Sequence, residues 1–253
     1  MASRFPDDEI RLILLDLKNG DAFRAQAFAL LSPDERERAE RFKVREAAER
    51  FTLVRGLLRR TLGEMTGEDP ASLRFSYGPQ GKPALEGKTV TFNLSHSEGW
   101  AAIAVAKGRE VGVDLEKIRS HDGRLVERYF SAPEAILYRA TLPEKQELAF
   151  FHFWTAKEAY LKARGEGISG GLKTHSFSDP WENPPKLTWS GEDANEPARW
   201  SFHRFWPAED CIGTLAYTGG TTIINEIKML QKAVNARPRR VSNGARRKTQ
   251  GEP

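Results

Sequence analysis

The sequence VGVDLEKI occupies residues 111–118, near the middle of the 253-residue chain. Apolar residues alternate along it with small or acidic ones, which predicts a β-strand with one side facing a core. Asp114 and Glu116 then share a face, with α-carbons roughly 7 Å apart at about 3.4 Å per residue. Two carboxylates this close repel each other, so a cation is expected beside them. A basic side chain opposite is the ordinary remedy, and a divalent ion shared with a substrate phosphate is the more specific one.

A third acid stands in a segment with a strong helix pattern. Residues 150–167 read FFHFWTAKEAYLKARGEG, and apolar residues recur at helical spacing along one side that also carries Glu158. An isolated buried charge is costly, so Glu158 needs compensation. An ordinary i,i+4 pair with Lys162 is one explanation. A metal site that Glu158 shares with Asp114 and Glu116 is the other.

The remaining pattern predicts an α+β fold with two similar lobes related by a pseudo-twofold. Residues 32–35 (SPDE) and 131–134 (SAPE) each resemble a capped helix start, and helical patterns and then short strand patterns follow both. We predict an N-terminal lobe at residues 1–115 and a C-terminal lobe at 116–227, each with a long helix packed on a small, mainly antiparallel sheet. Residues 228–253 are predicted to form a basic, disordered tail.

The positive charge of the chain is concentrated at its C-terminal end. Residues 228–253 carry eight basic residues and one acid, or +7, so the overall net charge of +4 leaves −3 for residues 1–227. This mildly acidic body makes nucleic acid an unlikely partner. No apolar run approaches the roughly 20 residues that a membrane span needs. The first residues lack the features of a secretory signal, and a single cysteine excludes an internal disulfide, so we predict a cytoplasmic protein.

Two motifs, taken together, resemble a known signature. The pentapeptide GVDLE at 112–116 and the segment WTAKEAYLKARGEGI at 154–168 resemble the signature pair of the 4'-phosphopantetheinyl transferases. NLSH at 93–96 and GKP at 81–83 resemble two further motifs of that family. Chain length and the doubled pattern resemble the larger, Sfp-type members, single chains whose halves form a pseudo-dimer. The resemblance covers about residues 10–220 and implies the fold of that family in a monomer.

The resemblance implies a reaction. It is the transfer of 4'-phosphopantetheine from coenzyme A to a serine of an apo acyl, polyketide or peptidyl carrier protein, with release of 3',5'-ADP. By matching positions, Asp114, Glu116 and Glu158 would bind Mg²⁺, or Mn²⁺. Glu158 would also act as general base, and Lys162 would neutralise charge on the pyrophosphate as the bond breaks.

The resemblance further implies residues that hold the coenzyme. These are Arg50, Lys82, Ser95, His96, Lys157 and Lys162. Ser95 and His96 could instead suggest a nucleophile and its base, but adjacent strand residues point to opposite faces, which favours the coenzyme role. The sequence leaves the carrier open among those of fatty-acid, polyketide and non-ribosomal peptide synthesis.

Two other classes of function use the same acids. A metal-dependent nuclease or phosphohydrolase would hold nucleic acid with the basic tail, and deleting residues 228–253 should then disable it while leaving a transferase active. In a non-catalytic scaffold the acids would serve buried ion pairs, and Glu158→Gln would alter stability alone.

Overall fold

The computed structural model describes residues 6, 8–18, 21–167, 171–191, 193–220 and 222–229. The strands are β1 (Glu9–Asp16), β2 (Phe75–Tyr77), β3 (Pro83–Leu85), β4 (Val90–Ser97), β5 (Trp100–Lys107), β6 (Val111–Lys117), β7 (His175–Phe177), β8 (Leu187–Ser190), β9 (Trp200–Ala208), β10 (Cys211–Thr218) and β11 (Ile223–Met229). The helices are α1 (Asp21–Ala29), α2 (Pro33–Glu40), α3 (Arg45–Thr66), α4 (Arg124–Tyr129), α5 (Ala132–Ala140), α6 (Pro143–Arg164) and α7 (Glu196–Arg199). Within this part of the chain, no helix is both long and apolar enough to cross a membrane.

Two small sheets organise the molecule. The N-terminal sheet has the strand order β11-β1-β5-β4, and the C-terminal sheet has the order β6-β10-β9. Neighbouring strands in both are antiparallel, apart from the parallel pair β1 and β11. The predicted α+β class, with long helices on small and mainly antiparallel sheets, is confirmed.

The two sheets stack against each other, with α3 on one outer face and α6 on the other. Ile13 and Leu15 of β1 pack in the core beneath α3, whereas Leu12 and Leu14 face the opposite way, towards Val113 of β6. Because β1 and β5 are covered on both sides, they need apolar residues at nearly every position rather than at every second one. This burial explains the uninterrupted apolar runs LILL at 12–15 and AAIAVA at 101–106.

The two lobes repeat one local design. Helices α3 and α6 are both 22 residues long, and each ends at a glycine with φ 76°. Before each lies a shorter helix whose third residue, Glu35 or Glu134, accepts a hydrogen bond from the backbone of the capping serine. Both glutamates are buried and form ion pairs with a basic residue of the long helix. The SPDE and SAPE segments therefore mark equivalent points of the two lobes.

Both predicted lobe boundaries fall within strands. Strand β6 spans the predicted boundary at residues 115 and 116, and it pairs with β10 in the C-terminal sheet. Strand β11, which the sequence analysis did not predict, returns to pair with β1 of the N-terminal sheet and reaches Met229. Lys228 and Met229, predicted to open the tail, are therefore strand residues. The rest of the predicted disordered tail lies outside the described residues.

Candidate active site

Strand β6 presents two acids on the side that faces α6. Val113 and Leu115 point into the core between the sheets, so the alternation of the strand turns Asp114 and Glu116 the other way. Asp114 is only 3% exposed. Its Oδ1 accepts hydrogen bonds from the Ser95 hydroxyl at 3.1 Å and from the Lys162 ammonium at 2.5 Å.

Polar side chains of β4 hold β6 in place. The Asn93 Oδ1 accepts a hydrogen bond from the Val113 amide at 2.9 Å, and the Ser97 hydroxyl donates to Glu116 Oε2 at 3.1 Å. With Ser95, these side chains recur every second residue and so share one face of β4. They join the two sheets where β4 meets β6, and they orient both acids. Sequence reasoning missed the role of Ser97, although the polar residues at 93, 95 and 97 carry the period-two signal.

The glycine of the GVDLE segment lets α6 lie directly on β6. A β-carbon at Gly112 would stand 2.1 Å from the Ala159 carbonyl oxygen and 2.3 Å from the Ala163 amide nitrogen. No other residue permits so close an approach of two backbones. The approach brings Glu158 and Lys162, which flank this contact on α6, to the acids of the strand.

The three acids, which we call the acid cluster (Asp114, Glu116 and Glu158), strongly affect one another. Burial, followed by the negative charge of Asp114, raises the pKa of Glu158 to about 7, and Lys162 offsets part of this rise. Burial, again followed by the Asp114 charge, raises the pKa of Glu116. Asp114 Oδ2 and Glu158 Oε1 are buried without a hydrogen-bond partner. Buried oxygens without partners are costly, so the cluster favours a cation between them.

The chemistry of these oxygens fits Mg²⁺ or Mn²⁺. Among the described residues, no three His, Cys, Asp or Glu side chains form a ready-made metal cage. Mg²⁺ does not need one, because it usually binds one or two carboxylates together with substrate phosphates and waters. The unpartnered oxygens of Asp114 and Glu158 supply such carboxylates, and Glu116 lines the same cavity.

Three adjoining cavities surround this point. The central cavity, of about 290 Å³, is lined by Leu94, Ser95, His96, Asp114, Glu116, Trp154, Glu158 and Lys162. The N-terminal cavity, of about 360 Å³, shares Leu94 and His96 with it. The lysine cavity, of about 160 Å³, shares Leu94 and Lys162 with the central one and contains Lys82. Three of the residues predicted to hold the coenzyme, Ser95, His96 and Lys162, thus lie in one cavity with the three acids.

The N-terminal cavity combines basic and apolar walls. Arg50 lines it, as do Arg38, Phe42 and Tyr77, which sequence reasoning did not assign to a site. Burial, with the nearby Arg50 charge, lowers the pKa of His96. A cavity lined by arginines and aromatic rings suits a phosphorylated, flat ligand.

Lys82 lies at the end of α6. Its ammonium donates to the Ala163 carbonyl oxygen at 2.5 Å and lies 3.5 Å from a Glu110 carboxylate oxygen. Burial lowers the pKa of Lys82, and the Glu110 charge counteracts this. Carbonyl groups at a helix C-terminus attract cations, so the helix end helps to hold the lysine at the lysine cavity.

Lys157, which the sequence predicts to hold the coenzyme, is not brought together with the other predicted site residues. Its ammonium is buried and donates to both carboxylate oxygens of Glu134, at 2.9 and 2.7 Å, and to the His175 carbonyl oxygen at 2.6 Å. These acceptors use all three of its donors. Adjacent helix residues point in different directions, and Lys157 points away from the cavity that Glu158 lines. Lys157 is the counterpart of Arg59, which pairs with Glu35 in the other lobe.

Comparisons with known proteins match both halves of the chain. Residues 110–214 match the profile of the 4'-phosphopantetheinyl transferase superfamily, and residues 21–108 match that of the 4'-phosphopantetheinyl transferase N-terminal region. The chain is 37% identical over 218 residues to the 4'-phosphopantetheinyl transferase HetI of Nostoc sp., covering 84% of this chain and 89% of that protein. It is 37% identical to psf-1 of Bacillus pumilus, covering 65% and 71%, and 32% identical to Sfp of Bacillus subtilis, covering 59% and 66%.

Proposed function

The chain belongs to the 4'-phosphopantetheinyl transferase superfamily and is a transferase of phosphopantetheine; from this premise we propose how its residues carry out the transfer. Coenzyme A is the donor, and a serine of an apo carrier protein is the acceptor. The observation that carries the proposal is the acid cluster: Asp114 and Glu158, each with a buried carboxylate oxygen that has no hydrogen-bond partner, line the same cavity as Lys162.

Asp114, Glu116 and Glu158 would hold Mg²⁺ or Mn²⁺ in the central cavity. When bound there, the ion supplies positive charge that neutralises the pyrophosphate of the coenzyme and polarises the phosphorus for attack. The hydrogen bonds from Ser95 and Ser97 keep the strand acids in position for it.

Glu158 is the proposed general base. Its carboxylate takes the proton of the carrier serine as the serine oxygen bonds to the phosphorus that carries the pantetheine. The bond from this phosphorus to the bridging oxygen breaks, and 3',5'-ADP leaves with the electron pair. Before an ion binds, burial is the first cause that raises the pKa of Glu158 to about 7. A bound cation lowers that pKa and favours the carboxylate, the form that accepts the proton of the serine. Lys162 stabilises the charge that develops on the departing phosphate.

The coenzyme would extend from the acid cluster into the N-terminal cavity. Arg50, Arg38 and His96 are the proposed contacts for its nucleotide phosphates, and the aromatic wall near Phe42 suits the adenine. Lys82 would contact the phosphates from the lysine cavity. Both lobes contribute to this path within a single chain, which supports a monomeric enzyme.

The carrier would approach over α4 and α5, the two helices that precede α6. Ile136 on this helix is 64% exposed, and Leu142, which follows the helix, is also exposed. Tyr129, the last residue of α4, packs edge-on against Trp154, a residue that lines the central cavity, so α4 borders this cavity. Exposed apolar side chains on α5 and directly after it suit a protein substrate with an amphipathic helix.

Intact-mass measurement tests the proposal. The purified chain is mixed with coenzyme A, Mg²⁺ and apo-carriers of the fatty-acid, polyketide and peptide types, and each carrier is weighed. We expect one phosphopantetheine group to be gained by at least one carrier, and no gain in the presence of EDTA. Glu158→Gln should abolish the gain, whereas Glu144→Gln, an exposed acid on the same helix, should not. Modification by Glu158→Gln at the wild-type rate would contradict the role of Glu158.

A further inference from the structure

The Lys162 ammonium lies within the acid cluster itself. It is 2.5 Å from Asp114 Oδ1 and 3.1 Å from the Ser95 hydroxyl oxygen. Asp114 is almost completely buried, so little water screens the attraction between the Lys162 ammonium and the Asp114 carboxylate. A divalent ion on Asp114 would therefore have a positive charge as its close neighbour.

Lys162 also lowers the pKa of Glu158, the acid of the cluster that lies on α6. Among the charged groups that alter the pKa of Glu158, Asp114 and Glu116 raise it and Lys162 lowers it. Arg119, like Lys162, lowers the pKa of Glu116, but Arg119 is exposed and forms an ion pair with Glu98. The positive charge available to the cluster from inside the cavity is thus supplied by Lys162.

The Lys162 side chain has a second cavity within reach. It lines both the central cavity and the lysine cavity, where it is joined by Lys82, Gln80 and Gly81. Its four-carbon stem is flexible, so the ammonium can turn from Asp114 towards an anion placed between the two cavities. The coenzyme pyrophosphate has the charge to attract it.

We propose that Lys162 competes with the divalent ion for Asp114 and thereby makes tight metal binding depend on the coenzyme. Without an anion to bind, the ammonium stays on Asp114 and repels the ion. With the pyrophosphate present, the ammonium moves to the phosphate and the carboxylate is released for the metal. This inference rests on the proposed function, because it takes the acid cluster as the metal site and coenzyme A as the ligand.

The affinity of the full-length protein for Mn²⁺ tests the inference, measured by electron paramagnetic resonance with and without coenzyme A. We expect coenzyme A to tighten Mn²⁺ binding to the wild type by at least about tenfold, within the usual range of coupling between two sites. Lys162→Met keeps most of the stem without the charge, and it should bind Mn²⁺ about tenfold more tightly than the wild type when coenzyme A is absent. Its further gain on adding coenzyme A should be much smaller.

Two variants serve as controls. Lys162→Arg keeps the positive charge and should behave more like the wild type than Lys162→Met does. Lys145→Met removes a charge from the same helix, about 25 Å away at 1.5 Å per residue, and should leave Mn²⁺ affinity unchanged. By reciprocity, Mn²⁺ should strengthen coenzyme A binding by the same factor as coenzyme A strengthens Mn²⁺ binding.

The outcomes separate this inference from the proposed function. If Lys162→Met binds Mn²⁺ no more tightly than the wild type without coenzyme A, the competition is overturned while the metal site stands. If neither protein binds Mn²⁺ even with coenzyme A present, both the competition and the metal role of the acid cluster are overturned.

Discussion

Glu158 is an acid that the fold holds in an unfavourable place. Its folded-state pKa of about 7 lies above its usual value of 4.5, first because it is buried and then because Asp114 is negative. The folded state therefore holds the proton more tightly than the unfolded state. The contribution of this residue to stability falls as the pH rises from about 4.5 through 7. Such a cost is typical of functional acids rather than structural ones.

We therefore expect Glu158→Gln to stabilise the protein in a pH-dependent way. Glutamine has the same shape and carries no charge, so in EDTA the variant should gain roughly 1–3 kcal/mol over the wild type at pH 8. The gain should shrink towards pH 5, where the wild-type carboxyl is protonated. Urea unfolding of both proteins at the two pH values measures this. An equal difference at both pH values would mean that Glu158 does not titrate as described.

The sequence motif alone does not reveal the contacts of Lys157. It stands beside Glu158 in sequence and was predicted to hold the coenzyme, yet it is buried against Glu134, which has no exposed surface. Removing one partner of such a pair leaves an unpaired buried charge. Helical geometry could have separated the two residues, but the partner of Lys157 lies 23 positions away, on α5. Only the packing of two helices reveals it.

Lys157→Met should therefore cost stability. We expect a loss of about 3–5 kcal/mol in the free energy of unfolding. The double variant with Glu134→Gln should recover part of that loss, because the unpaired carboxylate is gone. Lys145→Met, at an exposed position of the same helix, should change it by less than about 0.5 kcal/mol. Unchanged stability together with a raised KM for coenzyme A would restore the original prediction.

At the scale of elements, the contact between α6 and β6 creates the site. The sequence predicted the strand from its alternation and the long helix from its period, and both are confirmed. The sequence pattern did not predict how closely the strand and the helix approach, because the close approach depends on the absence of a side chain at Gly112. The strand β11 and the helix α1 were missed as well. Strand β11 is an edge strand with mostly half-exposed residues, so its hydrophobic pattern is weak.

Gly112→Ala tests the close approach. The added β-carbon would overlap the backbone of α6 near Ala159 and Ala163, so the helix must shift. We expect a loss of about 1–3 kcal/mol in stability and at least a tenfold fall in kcat/KM, because small displacements of catalytic groups are costly. Gly123→Ala is the matched control, since a β-carbon there meets no atom within 4 Å. Equal effects of the two substitutions would refute the argument.

In the whole molecule, the proposed active site lies where the two similar lobes meet. Each lobe has its own core, its own 22-residue helix and its own buried ion pair between a glutamate and a basic residue of that helix. The sequence predicted the repetition of the lobes because the two helix starts are local sequence signals. The pairing of β11 with β1 was not, because it joins residues more than 200 positions apart.

Two truncations distinguish the contribution of β11 to stability from that of the residues after Met229. A chain ending at Met229 should keep its stability and its transfer activity. A chain ending at Gly220 also lacks β11, which pairs with β1 from Glu9 to Leu15. We expect it to lose roughly 2–5 kcal/mol through the apolar surface that it exposes. Thermal unfolding of the two chains gives the comparison, and identical midpoints would show that β11 does not support the N-terminal sheet.

The position of the metal tests the central claim most directly. Crystals grown with Mn²⁺ and coenzyme A would reveal the ion through its anomalous scattering. We predict one peak within about 2.5 Å of oxygens from the acid cluster, with Lys162 turned towards the pyrophosphate. A peak elsewhere, with the Glu158 carboxylate out of reach of both the ion and the phosphates, would contradict the account.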